Sequence, residues 1–368
     1  MPSAQPRIYA DHNASAPLRP EARTAMLEAL AMPSNPSSIH GEGRRARGLV
    51  EKARRQVAAL VGGDPEAVIF LSGATEAIAT ALQMHASPHF RPLATEHAAV
   101  LAAHGFPGER VAPITVDGDG LPAWPTPVAD GDLLAVQMAN SETGVLAPNP
   151  PESGAFLFRD AVQSAGKIPT DMIECGAALL CLSSHKLGGP QGAAALIGRT
   201  PDYLPPPLIR GGGQERGRRG GTENVAAIAG FGAACEAAMA DLEGFADRTG
   251  KLRDAMEDGL KQMAEVSGYE LVIHGGKANR LPNTSCFSFT GLDASTALMA
   301  ADLAGISISS GAACSSGKVG KSHVLQAMGV SEELAKGALR VSFGWNSGAE
   351  DADRICEFLQ RELPRLLR

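Results

Sequence analysis

No stretch of the chain approaches the roughly 18 uninterrupted apolar residues of a membrane span, so none is expected. There is no basic excess either. The 33 Lys and Arg against 40 Asp and Glu leave a net charge of -7, which argues against a nucleic-acid partner. The local cluster Arg216, Arg218, Arg219 calls for a local anion instead. No pair of the six cysteines forms a CxxC, which speaks against a disulfide framework or a zinc site and for reduced thiols in a cytoplasm. The first residues, Met-Pro-Ser-Ala-Gln-Pro-Arg, lack an apolar core, so no secretory signal is expected. Neither GxGxxG nor a Walker A loop occurs, and there are no internal repeats and no low-complexity tail.

What is present centres on Leu180-Cys181-Leu182-Ser183-Ser184-His185-Lys186, followed at once by Gly188-Gly189-Pro190. An apolar strand that ends in Gly-Gly-Pro places Lys186 on a turn at a strand end. With little charge around it, such a lysine can lose its proton and act as an amine nucleophile. Alone, it reads equally as a surface lysine after a strand.

The 368 residues suggest two domains, with apolar content of 44% and charged content of 20% in the ordinary globular range. Helices are expected from Pro20 to about Met32 and from Arg44 to Val61. A strand at Val68–Leu71 leads through Ser72-Gly73-Ala74-Thr75-Glu76 into a helix, a turn that can cradle an anion on backbone N–H groups. Short strands then alternate with helical stretches: 93–95, 111–115, 133–138, 155–158, 178–182 and 193–197. This rhythm predicts a mostly parallel sheet covered on both faces, with ligands at the carboxyl ends of its strands. There lie Thr75, His97, Asn140, Asp160, Gln163 and Ser183 to Lys186. A long Ala-rich helical region, Glu223 to about Gln262, is expected to link the domains. Strands at 269–273, 281–289, 306–309 and 339–343 and a helix from Asp351 complete the chain.

Several residue types that a pyridoxal 5′-phosphate site needs stand in order. A lysine must bond the cofactor, and a carboxylate must face its ring nitrogen so that the ring withdraws electrons. Asp160 precedes Lys186 by one βαβ-sized step, and His97 can cover the ring. The turn at Gly73 to Thr75, with Ser183 and His185, can hold the phosphate. Separately, His97 reads as a loop histidine and Asp160 as a helix cap.

The stretches SGATEA, ANSETGV, DAVQSAGKIPTD, SSHKLGGPQG, GGGQERGRRGGTENVA, RLPNT, SSGAACSSG and SHVLQAMG resemble the cysteine desulfurases of NifS/IscS type. These are class V aminotransferases of fold type I among pyridoxal-phosphate enzymes. The resemblance runs from Tyr9 to about Gly344. It implies an α/β fold with a large cofactor-binding domain, residues 14–250, built on a mostly parallel central sheet. A smaller α+β domain would comprise 1–13 and 251–368 and carry the cysteine loop.

The resemblance also assigns roles. Lys186 is similar to the lysine that bonds the cofactor and moves the substrate's α-proton, Asp160 to the partner of the ring nitrogen, and His97 to the stacked ring. Gln163 and Asn140 look like residues near the cofactor's phenolic oxygen. Ala74, Thr75, Ser183 and His185 resemble the phosphate cup, with Thr222 contributed by the second subunit of a homodimer. Arg340 resembles the bidentate clamp on the substrate carboxylate, and Asn35 and His40 fall in a loop bordering the substrate.

Cys314 lies in a loop of Gly, Ala and Ser that nothing packs. The resemblance makes it the thiolate that takes sulfur from L-cysteine as a persulfide and leaves L-alanine. His97 or His323 would assist the proton transfers. The sulfur would go to a sulfur acceptor or iron–sulfur scaffold protein, where Cys314 could transiently ligate the cluster; no resident metal is expected. The other readings are an aminotransferase or selenocysteine lyase on the same scaffold, or a non-catalytic scaffold that keeps the fold. Departures from the family pattern are Ser141 for a second asparagine, Ser184 for glycine, Ala312 for serine, and Asp11-His12-Asn13-Ala14-Ser15 for DNNAT.

Overall fold

A computed structural model describes residues 6–33, 35–83, 87–311 and 321–367. In chain order, β1 (Ile8–Tyr9), α1 (Pro20–Leu30) and α2 (Gly41–Leu60) precede β2 (Val68–Leu71), α3 (Ala74–Gln83), β3 (Phe90–Pro92) and α4 (Ala98–Ala102). Strands β4 (Leu133–Gln137), β5 (Phe156–Asp160), β6 (Leu179–Ser183) and β7 (Ala194–Gly198) follow. Next come α5 (Val225–Ala240), α6 (Leu242–Ser267), β8 (Leu271–Ile273), β9 (Thr284–Phe289) and α7 (Ala294–Leu303). The chain closes with β10 (Ile306–Ser307), β11 (Ser309–Ser310), α8 (His323–Ala327), α9 (Glu332–Lys336), β12 (Leu339–Ser342) and α10 (Ala349–Leu366).

Six strands form the large sheet in the order β2-β7-β6-β5-β4-β3. Its strands are apolar on both faces because both faces are covered. Val68, Phe70, Leu180, Leu182, Ala195 and Ile197 meet the core made with α1, α2 and α5. The alternate residues Ile69, Leu71, Leu179, Cys181 and Leu196 meet α3 on the other side. Strands β3 to β6 run parallel, whereas β7 is antiparallel to both neighbours. The strand expected at 93–95 lies at 90–92, and 111–115 makes only isolated bridges, at Val111 and Ile114.

The region expected as one long helix is two. It breaks at Asp241 with a bend of 72° between α5 and α6. Ala-rich α5, whose one charged residue is Glu236, packs on α2 so closely that a Cβ on Gly232 would stand 2.6 Å from Ala53 Cα. No single helix among the described residues is long and apolar enough to cross a membrane.

The antiparallel sheet β11-β12-β9-β8 and the parallel pair β1–β10 share a second core. There Phe287, Phe289 and Val341 pack on Leu252, Met256 and Leu260 of α6. Helix α10 adds Ala352, Ile355, Leu359 and Leu363, a stripe at helical spacing.

Glu215 and Arg216 both have left-handed backbone, φ 47° and 57°. Glu215 is held there by a buried, two-pronged ion pair with Arg54, at 2.8 and 2.9 Å, and by the Phe70 amide. The pair ties the glycine-rich loop at 211–221 to α2 and β2. Glu215→Gln should cost about 3 kcal/mol, the low end for breaking a buried pair, because Glu51 and the Val68 carbonyl still hold Arg54. An unfolding midpoint equal to the parent's would show that the pair contributes nothing.

Candidate active site

The carboxyl ends of the parallel strands open onto a cavity of about 370 Å³, lined by Asn13, Thr75, His97, Asp160, Lys186 and Arg340 among others. Strand β5 ends on Asp160, which its register places beside Gln137 of β4 and Cys181 of β6. Burial pushes the Asp160 carboxyl above its ordinary range. The Val162 amide, donating to Oδ1 at 2.9 Å, and the nearby His97 and Lys186 pull it back. This buried carboxylate therefore has unmet demand for a positive partner.

Strand β6 ends at Ser183, and one tight turn, Ser184–Lys186, carries the lysine. A Cβ on Gly189 would stand 2.2 Å from Ser184 Oγ, so the turn needs glycine there. Lys186 Nζ donates to the carbonyls of Asn13 and Ala14 at 2.6 and 2.8 Å. His185 Nδ1 lies 3.2 Å from Ser15 Oγ. Burial, with help from Lys186, holds the His185 ring at about 4, so it is neutral at pH 7.

Ser72, Gly73, Ala74 and Thr75 line the same cavity at the start of α3, whose first N–H groups have no intrahelical partner. A Cβ on Gly73 would meet nothing within 4 Å, so the turn faces open space. Ser183 and His185 line the cavity too. His97 caps α4, its Nδ1 accepting the Ala99 amide at 3.1 Å. Loss of water lowers its pKa first, Asp160 opposes, and Lys186 and His323 add to the fall.

Arg340 on β12 is 1% exposed. Its Nη1 donates to the Ser141 carbonyl at 3.0 Å and its Nη2 to Asp11 Oδ1 at 2.7 Å. Its buried Nε has no partner among the described residues. One prong of the expected clamp is thus already taken by Asp11, which leaves the other N–H groups of the guanidinium for a ligand.

Other expected residues lie elsewhere. Asn140 is buried but does not border the cavity; it donates to the Thr95 carbonyl, and its Oδ1 accepts the Glu142 and Thr143 amides. Gln163 does line it. Asn35 and His40 are exposed and off the cavity, the first accepting the Ser37 amide and the second capping α2 through Gly43. Thr222 is exposed and outside its own chain's cavity. Cys314 and Ala312 lie outside the described residues. Flanking that segment, Ser322 donates to buried Glu142 at 2.5 Å, and His323 Nε2 meets the Glu96 carbonyl at 2.8 Å. No group of His, Cys, Asp and Glu among the described residues could hold a metal ion.

Asn13 went unrecognised in the sequence as a site residue, yet it joins the halves. Its carbonyl accepts from Lys186 and Gln163, its Oδ1 from Lys167, and its Nδ2 donates to Thr284. Its place in the Asp11–Ser15 run was the available signal. Lys167 was missed as well, because a lysine four residues after Gln163 reads as a solvated side chain.

A family description, aminotransferase class-V, matches residues 8–355. The chain is 40% identical to a cysteine desulfurase of Cereibacter sphaeroides over 96% of this chain and 95% of that one. It is 35% identical to the cysteine desulfurase IscS of Dictyoglomus turgidum, over 98% and 95%. Its structure resembles that of a NifS-like protein from Rickettsia africae with a TM-score of 0.86 and 30% identity, covering 97% of this chain and 99% of that one. With a lysine and a buried carboxylate meeting in one strand-end cavity and a match that spans both sheets, the chain belongs to the aminotransferase class-V family.

Proposed function

We propose that the protein is a cysteine desulfurase: L-cysteine gives L-alanine, and the sulfur leaves as a persulfide on Cys314 for iron–sulfur cluster assembly. The observation that carries this reading is the meeting of Lys186, Asp160 and Arg340 on one cavity. The cofactor of the family is pyridoxal 5′-phosphate, and the residues fit it. Asp160 suits the ring nitrogen, the open turn at Gly73 to Thr75 with Ser183 and His185 suits the phosphate, and Lys186 suits the aldehyde. When bound, the cofactor supplies an electron-withdrawing ring that stabilises negative charge at the substrate's Cα.

The chain's own groups do the rest. Arg340 donates to the substrate carboxylate and fixes which Cα bond faces Lys186. Lys186 takes the α-proton on Nζ and returns one to the alanine carbon. His97, which lines the cavity, covers the ring and relays protons. The Cys314 thiolate attacks the substrate sulfur: an S–S bond forms, the Cβ–S bond breaks, and its electron pair goes to the carbon side. Gln163 supplies a donor near the phenolic oxygen, with Asn140 shaping the adjoining turn.

The division into 14–250 and 1–13 with 251–368 is supported by the pairing of β1 with β10 and the packing of Ile8 and Ala10 among residues 252–363. A homodimer is supported by Thr222, exposed on a loop anchored by Arg54 and Glu215 and suited to a neighbour's phosphate. Asn35 and His40, exposed, would border the substrate from there. Free cysteines at five described positions, and no membrane-crossing helix among the described residues, support a cytoplasmic setting.

The deciding experiment incubates the holoenzyme with L-cysteine and counts alanine against protein persulfide or sulfide. Equal yields are expected. A holoenzyme with a visible cofactor band and no alanine would defeat the reading. Arg340→Lys keeps a charge for Asp11 but loses the guanidinium's further donors, and should raise KM for cysteine about 10- to 100-fold with a smaller change in kcat. An unchanged KM would remove Arg340 from substrate binding.

A further inference from the structure

Lys167 is a cation in a place that disfavours one. It is 4% exposed, and its ammonium donates to Asn13 Oδ1 at 2.9 Å and to Gln163 Oε1 at 2.8 Å. Both acceptors are neutral amide oxygens, and no carboxylate among the described residues pairs with it. The charged groups that face it are Lys186 and Arg340, and the His12 ring lines a small cavity together with both lysines. Burial first, and then these two cations, drive its pKa well below that of an ordinary lysine. Stability alone would favour an apolar side chain of the same length here.

The grip on Gln163 is the second observation. A glutamine amide accepts at one end and donates at the other, and a lysine can only donate. Lys167 therefore fixes Oε1 toward itself, which turns the NH2 group toward the cavity that Gln163 lines. One of its hydrogens goes to the Asn13 carbonyl at 3.0 Å, and the amide carries a second. That same carbonyl accepts from Lys186, so Asn13 couples the two lysines.

We propose that Lys167 is a positioning residue of the cofactor pocket, holding the Gln163 amide with its donor end toward the cofactor. The inference rests on the function proposed above. A donor held at the cofactor's phenolic oxygen would favour the cofactor's unprotonated form, so that form persists closer to neutral pH.

The test is a pH titration of the visible absorbance of the cofactor bound to the parent, Lys167→Met, Lys167→Gln and Lys167→Arg. Freeing the Gln163 amide to turn its acceptor end inward raises the proton affinity at the cofactor, so the midpoint should rise by about one pH unit in Lys167→Met and by less in Lys167→Gln, whose own amide can still donate to Gln163 Oε1. Lys167→Arg should keep the parent's midpoint. The other groups around Lys186, namely Asp160, His97 and His185, are untouched in all three. A purely structural lysine predicts lowered melting temperatures with one common midpoint, and that result overturns the proposal. So does loss of the fold in both neutral variants while the arginine variant folds. A parent that titrates but makes no alanine from cysteine would remove the desulfurase reading and leave the midpoint comparison standing.

Discussion

Cys314→Ala should bind the cofactor, keep its colour and lose sulfur release from cysteine by roughly 10³-fold or more, as expected for loss of a nucleophile. The reason lies partly in the other cysteines. Cys181, Cys235 and Cys286 are fully buried, and burial pushes each thiol far up, with Asp160 adding to the rise at Cys181. Burial raises Cys175 as well and lifts Cys356 to about 11. None of these five offers a thiolate near pH 7, so none can substitute in the attack on sulfur. Cys356→Ala should therefore leave activity at the parent's level. Alanine and persulfide are measured together in both variants. Full desulfuration by Cys314→Ala would take the nucleophile's role from Cys314 and favour a selenocysteine lyase, in which the thiol is dispensable.

The parts of the fold that a reader of the sequence can recover are those set by local pattern. The apolar runs at Val68–Leu71 and Leu179–Leu182 are strands because buried sheet positions demand them on both faces. Asp160 and Lys186 were legible as neighbours because each ends a strand of one parallel sheet. The reversal of β7 was harder to see, although a reason was there. Only residues 184–193 separate β6 from β7, fewer than the dozen or more that a parallel crossover needs. The break at Asp241 hides within a continuously helical composition; what changes there is the environment, from the buried faces of α5 to the amphipathic stripe of α6. The contacts of Asn13 could not be read locally, since its partners Gln163, Lys167, Lys186 and Thr284 lie more than a hundred residues away. Nor could the Arg340–Asp11 pair, which joins β12 to the segment after β1. Sequence pattern reports which residue types are available, and long-range pairing decides which of their atoms remain for a ligand.

Lys186→Ala should nearly abolish turnover, with a loss of roughly 10³-fold from removal of the general base alone. Binding of cysteine should survive, because Arg340 and the cavity walls are unchanged. The step lost is proton transfer at Cα, so alanine formed in deuterated water is the sensitive product. The parent should place deuterium at Cα, and the variant should show almost none in the same interval. Lys167 cannot take over, since its ammonium is held by Asn13 Oδ1 and Gln163 Oε1, and Asn13 stands between it and the position that Lys186 occupies. A small primary amine added to Lys186→Ala should restore part of the exchange, in proportion to its free-base concentration, because only the side chain's amine has been removed. Exchange at the parent's rate without added amine would show that another group moves the α-proton. Lys186 would then keep only the role of bonding the cofactor.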